Sequence, residues 1–198
     1  TQNEVFTFKD MLREKDHKEF LLAMMSKISV HESRKHWTTM RREDVPAEYR
    51  DSNGKLKTII SIWSFKRKRL PSGELVKHKA RLCAHGGMQQ WVINYWETYS
   101  PVVNWITVRT LLAICVINGL PSKTIDFVLA FPQADLDTPV YMEMPAGIDV
   151  PGAVLGTDIF VLKKSLYGLK QASLNWYEKL KKALVDERGF RKSEIDPC

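Results

Sequence analysis

Two β-capable runs flanking a turn, Thr58–Arg69 and Leu75–His85, constrain this chain more than any other stretch. The first is rich in Ile, Trp and Phe and ends in four consecutive bases, Lys66, Arg67, Lys68 and Arg69. Leu70-Pro71-Ser72-Gly73 supplies the turn, because Pro presets φ and Gly tolerates a left-handed backbone; a β-hairpin is predicted. Side chains alternate along a strand with period two. Lys77, Lys79 and Arg81 therefore share one face of the second strand, while Val76, Ala80 and Leu82 share the other and are expected to pack inward. A row of cations on one side of a hairpin suits phosphate oxygens. The hydrophobic content, 44%, is sufficient for the core that such an inward face implies.

The net charge of +7 is unevenly spread. Residues 1–90 carry 19 Lys/Arg against 11 Asp/Glu, and residues 91–198 carry 11 against 12. Nine bases between Lys55 and Arg81 face a single acid, Glu74. A folded chain with one basic half points to a polyanion, most simply nucleic acid, against the alternative of a merely solvated surface. No apolar run reaches the roughly 18 residues of a membrane span, and the N-terminus lacks a secretory signal pattern. Three cysteines, Cys83, Cys115 and Cys198, form no framework and fit a reducing compartment.

Asp16 and Glu19 make a capping box before an apolar stripe of Phe20, Met24 and Ile28, predicting a helix over 17–33. Loops follow at Val45-Pro46 and at 51–54, and residues 88–103 form a loop rich in aromatics. Thr107 to Asn118 is apolar on all sides and predicts a buried helix ended by Gly119 and Pro121. Strands are expected at Val140–Met144 and Ile159–Leu162, a turn at Ser165–Ala172, and an amphipathic helix over 172–188. Strands and helices mix without a βαβ rhythm, which favours an α+β fold.

Ser122 to Phe131, SKTIDFVLAF, reads as a strand that delivers one carboxylate, Asp126, into apolar surroundings. An acid placed there is a candidate cation ligand, since an unpaired buried charge costs several kcal/mol or more; the plainer alternative is a helix cap. Zinc chemistry finds little support. In His31-Glu32-Ser33-Arg34-Lys35-His36 the two His would lie about 140° apart on a helix. His78, Cys83 and His85 offer no fourth ligand. No nucleophile elbow, Walker loop or Rossmann loop occurs. Gly168 opens a helix with Lys170 inside the turn, where free backbone N–H groups could meet a phosphate. A cationic hairpin, a lone acid and a Lys-bearing turn together suit nucleotidyl transfer.

Three blocks, KARLCAHGGMQQ…INYWETYSPVV, IDFVLAFPQADLDTPVYMEMPAG and LKKSLYGLKQASLNWY, closely resemble the reverse transcriptase of copia-type retrotransposons. The likeness runs from about Ile59 to Cys198, with a weaker match around Trp37. It implies polymerase fingers and a partial palm, with an antiparallel palm sheet incomplete at its C-terminal side. It divides the chain into residues 1–54, an N-terminal helical segment and loop; 55–121, fingers built from the basic hairpin and a buried helix; and 122–198, partial palm.

By the resemblance, Asp126 matches the first catalytic aspartate, a metal ligand assisted by the Phe127 carbonyl. Phe131 matches the aromatic gate that excludes a ribose 2′-hydroxyl, and Lys79 and Arg81 match residues approaching the triphosphate. Tyr167, Gly168, Lys170 and Gln171 match the motif supporting the nucleotide and template base. Lys66, Arg67, Lys68, Arg69 and Lys77 are candidate nucleic-acid contacts. The implied cofactor is Mg²⁺; the implied partners are an RNA template, a DNA primer and deoxynucleoside triphosphates, in a cytoplasmic retrotransposon particle and away from membranes. Ser173 stands where the family often has Pro, Asn94 where it often has Asp, and Pro132-Gln133-Ala134 replaces a commoner Leu-Asn-Gly. A non-catalytic nucleic-acid-binding module and a functionless truncated product are the rival expectations.

The family's Tyr-x-Asp-Asp hairpin, which follows an Asp-Pro like Asp196-Pro197, does not occur in these 198 residues. Asp135 and Asp137, nine and eleven residues past Asp126, read as solvated turn acids and not as substitutes. With one carboxylate where two metals need more, the open apolar edge and uncovered face of a truncated palm are also expected. The 198-residue chain is therefore expected to extend no primer. Deoxynucleotide incorporation that disappears in Asp126→Ala would overturn this.

Overall fold

The computed structural model describes residues 5–194 and 196; Pro197 and Cys198, invoked above, lie outside the described residues. In chain order the elements are β1 (Val5–Phe6), α1 (Phe8–Met11), α2 (His17–Ser33), β2 (Trp37–Arg41), β3 (Ser61–Arg69) and β4 (Leu75–Ala84). They continue with α3 (Trp105–Ile117), α4 (Ala130–Gln133), β5 (Asp135–Met142), β6 (Asp158–Lys164) and α5 (Ala172–Val185). The fold is mixed α and β, with two antiparallel three-stranded sheets ordered β1-β3-β4 and β2-β6-β5.

The hairpin forms as its pattern predicts. Trp63 pairs with Leu82 and Phe65 with Ala80, all four buried against Phe20, Met24 and Ile28 of α2. Fully burying a Phe or Leu side chain contributes about 1.5–3 kcal/mol, so this seam is a main tie between helix and hairpin. The second sheet is buried on both faces. Val140, Met142, Phe160 and Leu162 join the hairpin core, while Tyr141, Ile159 and Val161 pack with Val45 and Leu56 on the other side. Residue 59 links the two sheets, pairing with Met142 through a parallel bridge. Strand β2, which the N-terminal assignment left as helix and loop, belongs to the second sheet through its pairing with β6.

Several expectations are corrected. The strand around Asp126 does not form: residues 121–127 carry no regular structure, Asp126 is exposed and Ile125 is 74% exposed. A strand needs a ladder partner, and none is recorded for this run among the described residues. Helix α3 has no buried residue, with Val116 and Ile117 each 81% exposed and only Thr107, Val108 and Cys115 half-buried. Val76 is exposed too, lying beyond the end of the shared core. Asp16 precedes α2 but its side chain makes no cap bond; its carboxylate accepts from Arg67 and His78 of the hairpin instead.

His31 and His36 meet, contrary to the ideal-helix spacing. Helix α2 stops at Ser33, Lys35 turns to a φ of 52°, and His36 folds back to place the two Nδ1 atoms 2.8 Å apart. One neutral ring donates and the other accepts. His31 stacks on Trp37, which stacks on Phe160, so the pair sits inside the core. Burial, and then the charge of the partner His and nearby bases, pushes His31 down to about 3; burial followed by Arg34 pushes His36 down to about 4. An unfolded chain takes up both protons as pH falls through about 6.5, whereas the folded one refuses them until about 4 and about 3. Stability is thus expected to be full above pH 6.5 and to fall below it, by up to about 1.4 kcal/mol per pH unit for each ring. Urea melts at pH 7.5 and pH 5 check this, and replacing both His with Gln should flatten the difference.

Candidate nucleotide and nucleic-acid site

The register of the hairpin sorts its bases onto two faces. Lys66 lies opposite Lys79, Lys68 opposite Lys77, and Ser64 opposite Arg81, all on the face away from the core. Like charges placed directly across a ladder destabilise it, so this arrangement costs the fold energy. Arg67 and His78 point the other way. The Arg67 guanidinium donates to Asp16 at 2.7 Å and to Glu14 at 2.7 Å, and lies 4.7 Å from the Phe6 ring. Arg67 is therefore a structural cation and not one of the outward row. Arg69 sits at the hairpin tip, donating to the Gly73 carbonyl at 3.0 Å.

A cleft of about 440 Å³ opens at the inner end of the cationic row. Lys77, Lys79 and Arg81 of β4 line it together with Asp126, Phe127, Val128 and Leu129. Leu129 holds a left-handed backbone, φ 55° and ψ 50°, as the residue before α4. That conformation costs a non-glycine residue about 1–2 kcal/mol and turns the 126–129 segment towards the hairpin. Tyr167 closes the cleft. Its ring lies 5.3 Å beneath the Arg81 guanidinium and 5.2 Å from the Phe131 ring. Burial raises the Tyr167 phenol above its ordinary value, with Arg81 opposing and Asp126 adding to the rise. Burial, and next the charge of Arg81, lowers Lys79. Phe127 contacts Trp176 of α5 edge to face at 5.1 Å.

Asp126, Phe127, Lys77, Lys79, Arg81 and Tyr167 thus gather at one opening, with Phe131 reaching it through Tyr167. The rest of the motif does not. Gln171 is buried, accepting from Gln89 at 2.9 Å and donating to the Asn94 carbonyl at 2.8 Å, which ties down the loop after β4. The Lys170 ammonium is 2.9 Å from the Tyr95 hydroxyl and sits over that ring. Gly168 serves backbone packing, since an added Cβ would overlap the Ala84 carbonyl oxygen.

One cleft residue was missed. Lys27 of α2 lines the opening beside Lys79 and Arg81. Its position carried a signal: seven residues from Phe20, it lies about 20° from that side chain around the helix, a base on the apolar stripe.

The sequence model of the family described as reverse transcriptase (RNA-dependent DNA polymerase) matches residues 50–197. The chain is similar to the Retrovirus-related Pol polyprotein from transposon TNT 1-94 of Nicotiana tabacum, 38% identical over 136 residues, covering 69% of this chain and 10% of the relative. It is similar to that from transposon RE1 of Arabidopsis thaliana, 38% identical over 143 residues, covering 70% and 9%. The Transposon Ty1-ER2 Gag-Pol polyprotein of Saccharomyces cerevisiae is 28% identical over 211 residues, covering 99% and 11%. The chain spans about a tenth of the length of these curated relatives. No solved structure matches. No described helix is long and apolar enough to cross a membrane.

Relief of like-charge crowding makes a test. Lys68→Glu is expected to raise stability by about 0.2–1 kcal/mol, because it turns a repulsive cross-strand pair into an attractive one. The same variant should bind an RNA–DNA duplex more weakly, with a salt slope shallower by about 1. Thermal melts and binding across a salt series check both halves.

Proposed function

The chain belongs to the reverse transcriptase (RNA-dependent DNA polymerase) family, and from that premise we propose that its cleft is the deoxynucleotide site of a copia-type enzyme. The observation that carries this is the convergence of Lys79, Arg81 and Asp126 on one opening closed by Tyr167. In this reading the hairpin acts as fingers and the β2-β6-β5 sheet as palm. Lys79 and Arg81 hold the triphosphate tail. Tyr167 fixes the Arg81 guanidinium from below, which limits the entropy lost when a phosphate binds. Phe131, braced by the same Tyr167 ring, abuts the sugar and leaves no room for a 2′-hydroxyl. The outward Lys66, Lys68 and Lys77 take backbone phosphates of template and primer, contacts that position without reading sequence.

Among the described residues no group of three or more His, Cys, Asp or Glu side chains could hold a metal ion. Asp126 nonetheless suits one Mg²⁺, an ion commonly held by one or two carboxylates together with substrate phosphates. When bound, that ion would neutralise charge on the transferring phosphoryl group. Asp126 is the one carboxylate among the described residues that line this cleft.

Calorimetric titration with dTTP and UTP, with and without Mg²⁺, tests the proposal. The expected results are tighter binding of dTTP than UTP, loss of that preference in Phe131→Ala, and loss of the Mg²⁺ effect in Asp126→Asn. Arg81→Gln should weaken dTTP about tenfold or more. Equal affinity for both nucleotides, unchanged by Arg81→Gln, would sink it.

A further inference from the structure

We infer that Lys27 is a third ligand for the polyphosphate tail, so that helix α2 and the hairpin grip the anion from two sides. The inference rests on the nucleotide reading of the cleft and extends it to a residue outside every recognised motif.

The geometry comes first. Lys27 lies on α2, half-buried, and lines the same opening as Lys79 and Arg81 on β4. None of these three makes an ion pair or side-chain hydrogen bond with a carboxylate among the described residues. Elsewhere the protein pairs its partly buried cations: Arg67 with Asp16 and Glu14, Arg42 with Glu143. Asp126 lines the same cleft and is one acid against three bases, with Lys77 as a fourth. Burial, followed by the charges of Lys79, Arg81 and Arg34, lowers Lys27 from its ordinary value. A half-buried ammonium facing like charges costs stability unless a counter-anion arrives. A chain of linked phosphates meets that need, since it presents several negative oxygens to the cations of α2 and β4 that line the cleft.

Lys27 is half-buried and lies about 20° around the helix from Phe20, so a Met at this position keeps an unbranched side chain of similar length and removes the charge. The experiment is metal-free titration of the purified chain with inorganic tripolyphosphate, read by calorimetry and by the shift in melting temperature. Lys27→Met is expected to weaken tripolyphosphate about tenfold while melting no lower than wild type without ligand. Lys27→Gln, polar and uncharged, should show the same loss and keeps the test decisive if the Met variant fails to fold, whereas Lys27→Arg should bind nearly as well as wild type. Wild-type binding lost in Arg81→Gln but unchanged in Lys27→Met would overturn the role of Lys27 alone. No tripolyphosphate binding by the wild type would overturn the nucleotide reading as well. Weaker RNA–DNA duplex binding by Lys27→Met, with tripolyphosphate affinity intact, would reassign Lys27 to nucleic-acid backbone and refute the inference.

Discussion

Arg67 is the knot on which the cleft depends. Its guanidinium joins Glu14 and Asp16 at the start of α2 to the middle of the hairpin, with the Phe6 and Phe20 rings packed against it. Asp16 also accepts from His78, the residue directly across the ladder from Arg67, and Arg67 foremost holds its carboxyl well below the usual carboxylate range. Breaking one member of such a partly desolvated cluster strands the others, at a cost of about 3–5 kcal/mol for fully buried pairs and less here. The knot fixes one end of α2 on the hairpin. Lys27, eleven residues and about 16 Å further along the helix, then comes down beside Lys79 and Arg81. A salt-bridge cluster away from the opening therefore governs which charges meet within it.

The protein treats its two populations of cations differently. Arg67 and Arg42 are neutralised by acids and stitch elements together, whereas the outward row on β3 and β4 is left facing itself. Ion pairing and like-charge repulsion occupy opposite faces of one hairpin, separated by the pleat. Alternation does more than bury a core here. It lets adjacent residues such as Arg67 and Lys68 carry the same charge for opposite purposes.

The hairpin and α2 were legible because their signals are local: turn chemistry, period-two alternation and an apolar stripe with clear ends. Elements that depend on partners were not. The Asp126 run has strand-like composition, yet composition cannot supply a ladder, and the segment is irregular. Helix α3 shows the matching limit, since apolar residues on every side say that a helix wants cover and not whether cover is present. The His pair escaped because ideal-helix arithmetic ran past Ser33, where a left-handed Lys35 ends the helix and brings the rings together. Of the site, the period-two row and Asp126 do converge, while Gln171, assigned by resemblance alone, spends its amide on Gln89 and Asn94.

The Tyr167-Gly168-Leu169-Lys170 turn invites a phosphate-binding reading from its glycine, but packing supplies a stronger reason for that residue. The Ala84 amide at the end of β4 donates to the Tyr167 carbonyl at 2.7 Å, which draws the turn onto the strand. Gly168 holds a φ of 93°, and its missing side chain leaves room for the Ala84 carbonyl; Gly86 reciprocally leaves room for the Gly168 carbonyl. Two glycines from distant parts of the chain thus let two backbones approach closely, as only residues without Cβ can. The approach is what brings Tyr167 under Arg81 and against Phe131. Glycine in this motif acts on the cleft at one remove, by setting where its aromatic platform stands.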